Sequence, residues 1–229
     1  MKKLILILFI LCSLSLHAKE KLNPEKDKAN ASLDVSNPDE RPYIESQDGS
    51  VRLYEDKINL WNSACEFYEL ALVEFDAKKY DDALYLIEEA IKYAPEEIYE
   101  KWSMYMLKGD ILRFAGKYEE ARKAYMKIST ETDYIGIRHA QAIYKIGLSF
   151  YDEKEWHKAH PYFERVYVAY FKMEYYASRA YYYDAKCFIH LDKKDISLRI
   201  LREFFLVMKQ KDTPIYLQAQ ALNRELLDI

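Results

Sequence analysis

The sequence predicts an all-α chain, a solenoid of four antiparallel helix hairpins of period 38 closed by a C-terminal capping helix. Three observations carry that prediction. Small residues recur in two columns with a constant spacing, Ala71, Gly109, Gly147 and Ala185 in one and Ala83, Ala121, Ala159 and Ser197 in the other. Two columns sharing one period across four units mark an internal repeat. Within each unit the spacing is helical, i, i+3, i+4, i+7, as in Phe67, Leu70, Ala71, Glu74 and in Ile143, Ile146, Gly147, Phe150. Finally, 5 glycines and 6 prolines in 229 residues are too few for a turn-rich all-β fold.

The first 18 residues read as an export signal, with basic Lys2 and Lys3, an apolar run from Leu4 to Leu16, and small Ala18 before Lys19. The run is shorter than the ~20 residues that span a bilayer. Leu16 is a poor residue two places before the cleavage point, which leaves an uncleaved anchor as the alternative. Cys12 follows Leu11 rather than a small residue, which argues against a lipid-modified cysteine. Residues 19–50 are polar, carry Pro24, Pro38 and Pro42, and cannot bury enough surface to offset ordering entropy, so they read as a linker. The repeat domain is expected over residues 51–229.

Within that domain, Leu53 to Cys65 extends the first helix by several turns. Second helices open with Tyr80, Tyr118 and Trp156 and continue as Ala83, Ile87, Ala90, as Ala121, Tyr125, Ile128 and as Ala159, Phe163, Val166. Short polar turns join the helices of a hairpin: Asp76 to Lys79, Ala115 to Lys117, and Asp152 to Glu155. A small residue on each helix lets the two axes approach closely. The fourth unit departs from the pattern with Lys194 and Ser197, and Lys108 and Asp184 stand where an apolar residue is usual. Thr213-Pro214 is a helix start, Thr as cap and Pro at the first helical position. The helix that follows mixes Leu217, Ala221 and Leu222 with Gln218, Gln220, Asn223 and Arg224, as a terminal cap does when it buries one face.

A hairpin with Gly or Ala late in the first helix and an aromatic–Ala pair early in the second resembles the tetratricopeptide repeat, and Pro95 stands where that family often has proline. The resemblance covers about Asn62 to Phe205 and implies a right-handed superhelix whose first helices line a concave groove. The period is four residues longer than the usual ~34. One added turn at the start of the first helix, such as Tyr175-Tyr176-Ala177-Ser178, accounts for the difference. Longer first helices of this kind resemble periplasmic members of the family, among them outer-membrane-assembly lipoproteins and the Tol-Pal coordinator. The resemblance thus implies a non-catalytic binding scaffold of the bacterial cell envelope. Self-association through the groove, or service as an accessory module of an envelope enzyme complex, are the alternatives.

With 34 basic and 38 acidic residues the formal net charge is -4, which gives no reason to expect nucleic acid. No Ser or Cys nucleophile has a neighbouring base, and there is no Gly-rich phosphate loop, so no catalytic residue and no cofactor are assigned. His157 and His160 share a helix face, but no third ligand follows at a recognised spacing and no metal is assigned. His139 and His190 read as surface or seam residues. Cys65 and Cys187 fall in the first and last units, too far apart for a disulfide. Groove residues in the implied fold recur at i, i+4 and i+7, which selects Tyr68, Leu72, Phe75; Met106, Asp110, Arg113; Tyr144, Leu148, Tyr151; and Tyr182, Lys186, Ile189. Aromatic anchors with a few charges suit a peptide or helix partner, and the same rings could equally form a packing seam between units. Cleavage near Ala18 would leave a periplasmic or secreted chain, with loose membrane association and oligomer formation both open.

Overall fold

Close approach of two helices requires a gap in one to receive a side chain of the other, and the small columns supply those gaps. The computed structural model describes residues 50–95, 101–130 and 136–228. The expected signal segment (1–18) and all of the expected linker except Ser50 lie outside the described residues. Among the described residues there are nine helices and no strand: α1 (Ser50–Asp76), α2 (Tyr80–Tyr93), α3 (Lys101–Phe114), α4 (Tyr118–Thr130), α5 (Ile137–Asp152), α6 (Trp156–Ala169), α7 (Glu174–His190), α8 (Lys194–Val207) and α9 (Pro214–Leu227).

Each helix from α1 to α8 packs on the next, while α9 packs on both α7 and α8. First helices also touch across the repeat, α1 on α3, α5 on α7, and α7 on α9. This is the adjacent-helix packing of a tetratricopeptide-like solenoid. The long α1 and the start of α9 after Thr213 follow the sequence expectation. Fully described first helices α5 and α7 span 16 and 17 residues, against 14 for α6 and α8, in keeping with the added turn.

The gap-and-knob contact is explicit at both helical glycines. A Cβ on Gly147 would lie 2.8 Å from Cε1 of Phe163, and one on Gly109 would collide with the ring of Tyr125. Each ring stands sixteen residues after its glycine. The same register sets Ala71 against Ile87 and Ala185 against Leu201, all four fully buried. Glycine therefore faces a ring and alanine an aliphatic chain, which keeps total volume constant from unit to unit. The second column, Ala83, Ala121, Ala159 and Ser197, is likewise at 0% exposure.

The hairpin turns share a third periodicity. Lys78, Gly116, Lys154 and Asp192 have φ of 62°, 77°, 63° and 57°. After each, an amide reaches back to a carbonyl five residues earlier, Lys79 N to Glu74 O, Lys117 N to Leu112 O, Glu155 N to Phe150 O and Lys193 N to Phe188 O. The left-handed residue and this bond close the helix end as a Schellman cap, which frees the chain to turn back at once. Three of the four residues are not glycine and carry the steric cost of a Cβ there.

Asp184, in a column shared with Leu70, Lys108 and Ile146, is fully buried between α6 and α7. His160 Nδ1 lies 2.7 Å from its Oδ1, and the Tyr167 hydroxyl donates to Oδ2 at 2.9 Å. Burial raises the Asp184 pKa, with the His160 and Tyr167 hydrogen bonds acting against it. The Asp184 hydrogen bond raises that of His160, against desolvation. Cys65 and Cys187 are not joined in a disulfide.

Two outcomes follow from these contacts. Gly109→Ala should destabilise more than Gly147→Ala, because the Tyr125 ring is pinned by its hydroxyl on Asp110 at 2.7 Å. Overpacking of about 1–3 kcal/mol exceeds the ~1 kcal/mol that Ala gains over Gly in a helix. Chemical denaturation measures both, and a stabilised Gly109→Ala would show that the ring yields freely. The second concerns pH. Both groups have raised pKa values, so the folded chain holds protons that the unfolded chain releases, and stability falls as pH rises. The His160 contribution is complete below its ordinary value of 6.5 and is lost as pH climbs through the raised folded value. Melting temperature should decline as pH rises above about 6.5, and Asp184→Asn should flatten that decline. Parallel slopes in the two proteins would refute the coupling.

Candidate functional site

The first helices α1, α3, α5 and α7 carry all twelve residues selected from sequence, and the structure divides them into three groups. One group belongs to the interior. Met106 and Tyr144 are only 5% and 7% exposed. Tyr144 was expected as a groove anchor; instead its ring packs at 5.9 Å from Phe163, 6.0 Å from Tyr176 and 6.2 Å from Tyr183. Burial accordingly raises the pKa of its hydroxyl. The physical reason is the added turn of α7, which sets Tyr176 over the preceding first helix. In the same register Arg138 of α5 lies 4.3 Å over the ring of Trp102 of α3.

A second group makes internal polar contacts. Asp110 receives the Lys145 ammonium at 2.6 Å on both oxygens as well as the Tyr125 hydroxyl. Arg113 pairs with Asp152, and Arg122 bonds Glu153 at 2.7 Å and Ser149 at 3.2 Å. Asp110 and Arg113, expected as recognition charges, are thus ties between α3 and α5. Neighbouring Arg122 ties α4 to α5 in the same way. At the N-terminal end Tyr68 is half-buried, its pKa raised by desolvation and lowered by a hydrogen bond with Ser103 of α3. Phe75 packs edge-on against Phe114 at 5.6 Å, and Leu72 sits beside it in the first core cluster.

The third group lies along α7 with the facing end of α5. Tyr182 is half-buried and stands edge-on to Tyr183 at 5.6 Å. Lys186 Nζ lies 5.4, 5.6 and 5.7 Å from the rings of Tyr151, Tyr182 and Tyr183. The Tyr151 hydroxyl is 3.1 Å from His190 Nε2, and His190 stacks on Trp156 at 4.5 Å. Desolvation moves Tyr151 up to about 12, while desolvation and Lys186 push His190 down. Leu148 and Ile189 back this surface from the C-terminal core cluster. Two residues outside the twelve belong to the same face. Tyr175 is 59% exposed, and the Arg179 guanidinium lies 3.5 Å over its ring. Continuing the i, i+4, i+7 spacing one and two turns before Tyr182 would have found both.

No group of three metal-binding side chains occurs among the described residues. His157 pairs with Glu155 at 3.6 Å and His160 belongs to Asp184, so the two histidines do not converge. No helix is long and apolar enough to cross a membrane among those residues.

Residues 68–131 match the tetratricopeptide repeat family. Tetratricopeptide repeats generally mediate protein–protein interaction and generally carry no catalysis. The match runs from the last third of the first hairpin's α1 through the whole of the second hairpin, and the same packing continues to α9. A search of curated proteins returns no match.

Removing Tyr144 should empty a buried aromatic site, where truncation costs about 3–5 kcal/mol. Tyr182→Ala removes a half-exposed ring and should cost under about 1 kcal/mol. Urea unfolding of the two variants alongside Phe163→Ala checks the division: Tyr144→Ala should group with Phe163→Ala. Grouping with Tyr182→Ala instead would return Tyr144 to the surface.

Proposed function

We propose that the chain is a non-catalytic interaction scaffold of the bacterial cell envelope that binds a peptide or helix of a partner protein on its first-helix face. The observation that carries this reading is the half-open stripe on α7. Tyr175, Arg179, Tyr182 and Lys186 follow one another on one side of the helix, with Tyr151 beside them. Tyrosine and arginine are enriched where partners bury their anchors, because each offers a large contact area with a polar tip. The general role of the tetratricopeptide repeat supports the same conclusion. Envelope location is supported by Lys2, Lys3, the apolar run to Leu16 and Ala18, and by first helices longer than the usual repeat allows.

A photo-crosslinking residue placed at Tyr182 in the native cell tests the reading. It should capture a defined protein in the envelope fraction, whereas the same residue at exposed Arg165 on α6 should not. The crosslinked chain should begin at Lys19. Capture of nothing specific at Tyr182, or recovery only from the cytoplasm, would remove the surface or the location from the proposal respectively.

A further inference from the structure

We propose that the α7 face recognises an acidic amphipathic helix, two of whose carboxylates, seven residues apart, meet Arg179 and Lys186 while an apolar side chain enters the neighbouring cleft. The inference rests on the reading of this face as a partner surface and names the partner's chemistry.

Charge pairing selects the two positions. Asp110 and Arg113 of α3 and Lys145 and Asp152 of α5 are matched within the chain. Arg179 and Lys186 have no carboxylate at ion-pair distance among the described residues. Rings hold them instead, Tyr175 under Arg179, and Tyr151, Tyr182 and Tyr183 around Lys186. The Arg179 guanidinium is further fixed by donating to the Tyr175 carbonyl at 2.9 Å. A cation held by rings keeps its charge while losing mobility, so less entropy remains to be lost when an anion arrives.

Spacing selects the helix. Seven residues of α-helix rise about 10.5 Å and return to the same face, so Arg179 and Lys186 form a two-point pattern about 10.5 Å long. A partner helix repeats that distance with carboxylates at i and i+7. An extended strand turns alternate side chains to opposite faces, and its same-face carboxylates fall at about 6.7 or 13 Å.

The cleft supplies the third point. It encloses about 370 Å³ between α7, the end of α8 and the start of α9, walled by Phe204, Met208, Pro214 and Ile215 with Tyr175 and Arg179 at its edge. That volume lies within the usual range for ligand pockets and accepts one large apolar side chain. Tyr175 lines it four residues before Arg179, which extends it about one turn outside the two-cation pattern. Glu174 stands on the same wall and disfavours a third carboxylate there.

The test uses the full chain and a fluorescent, alanine-rich peptide of about 20 residues, long enough to hold helix in water. It carries two glutamates seven residues apart and a leucine one turn outside each, so that either orientation can fill the cleft. The peptide should bind with an anisotropy change that weakens as salt rises. Glutamine in place of both glutamates should weaken binding at least about tenfold, as should Arg179→Gln or Lys186→Gln in the protein. Unaltered melting of both variants establishes that they remain folded. Equal binding of the glutamine peptide overturns the proposal, as does equal binding of a peptide with glutamates four apart or of a proline-rich one with glutamates three apart. A partner crosslinked at Tyr182 whose binding survives both substitutions would overturn the acidic helix and leave the partner surface standing.

Discussion

The fold hangs on one contact repeated along the chain, a side chain of a second helix seated in the gap left by a small residue of the first. Gly109 takes Tyr125 and Gly147 takes Phe163, and neither pocket has room for a Cβ. The rings are at 0% exposure, so the contact sets the spacing of the hairpin and not merely its surface. Rise of one element fixes the next because each hairpin buries its apolar face only against a neighbour. The left-handed caps at Lys78, Gly116, Lys154 and Asp192 then hold each turn short enough for the two helices to meet in that register.

Between hairpins the chain uses two different kinds of seam. From α3 to α5 the ties are ionic, Lys145 on Asp110 and Arg113 on Asp152, with Arg122 of α4 joining Glu153 beside them. From α5 to α7 they are aromatic, Tyr144 against Tyr176 and Tyr183, and Tyr151 against Tyr183. Partly buried ion pairs weaken sharply when one member is lost, since the survivor is left unmatched. Ring contacts degrade more gradually and depend little on salt or pH. Asp184 adds a titratable element to the aromatic half, where a fully buried carboxylate relies on His160 and Tyr167.

The sequence columns made the hairpins legible because packing tolerates only small residues at a helix crossing, and that constraint leaves a period. The third column was hidden. Left-handed caps usually announce themselves as glycine, and here Lys78, Lys154 and Asp192 occupy the position instead. The site was legible in part. Spacing at i, i+4, i+7 marks one side of a helix, and on α7 it picks the half-buried Tyr182 and Lys186. It says nothing about what a neighbouring helix lays across that face. Tyr144 disappears under Tyr176, a residue of the very turn that lengthens the repeat. Ion pairing was equally invisible, because Lys145 and Asp152 reach Asp110 and Arg113 across 35 and 39 residues of chain.

The added turn therefore does more than lengthen a helix. By laying Tyr176 over Tyr144 and Arg138 over Trp102, it closes the face of each preceding first helix. What α3 and α5 could have offered a partner in their N-terminal halves is used up in holding the stack together. Along α7 the polar ends stay unmatched: Arg179 and Lys186 keep their charge, and Tyr175 keeps most of its surface. The surface proposed for recognition thereby falls toward the C-terminal end of the solenoid, where α9 packs on α7 and α8 and leaves the cleft by Ile215 between them. A repeat that is uniform in its packing columns thus becomes non-uniform in its open surface, and the asymmetry follows from what the next first helix brings to one position, Arg138 on α5, Tyr176 on α7 and Pro214 on α9.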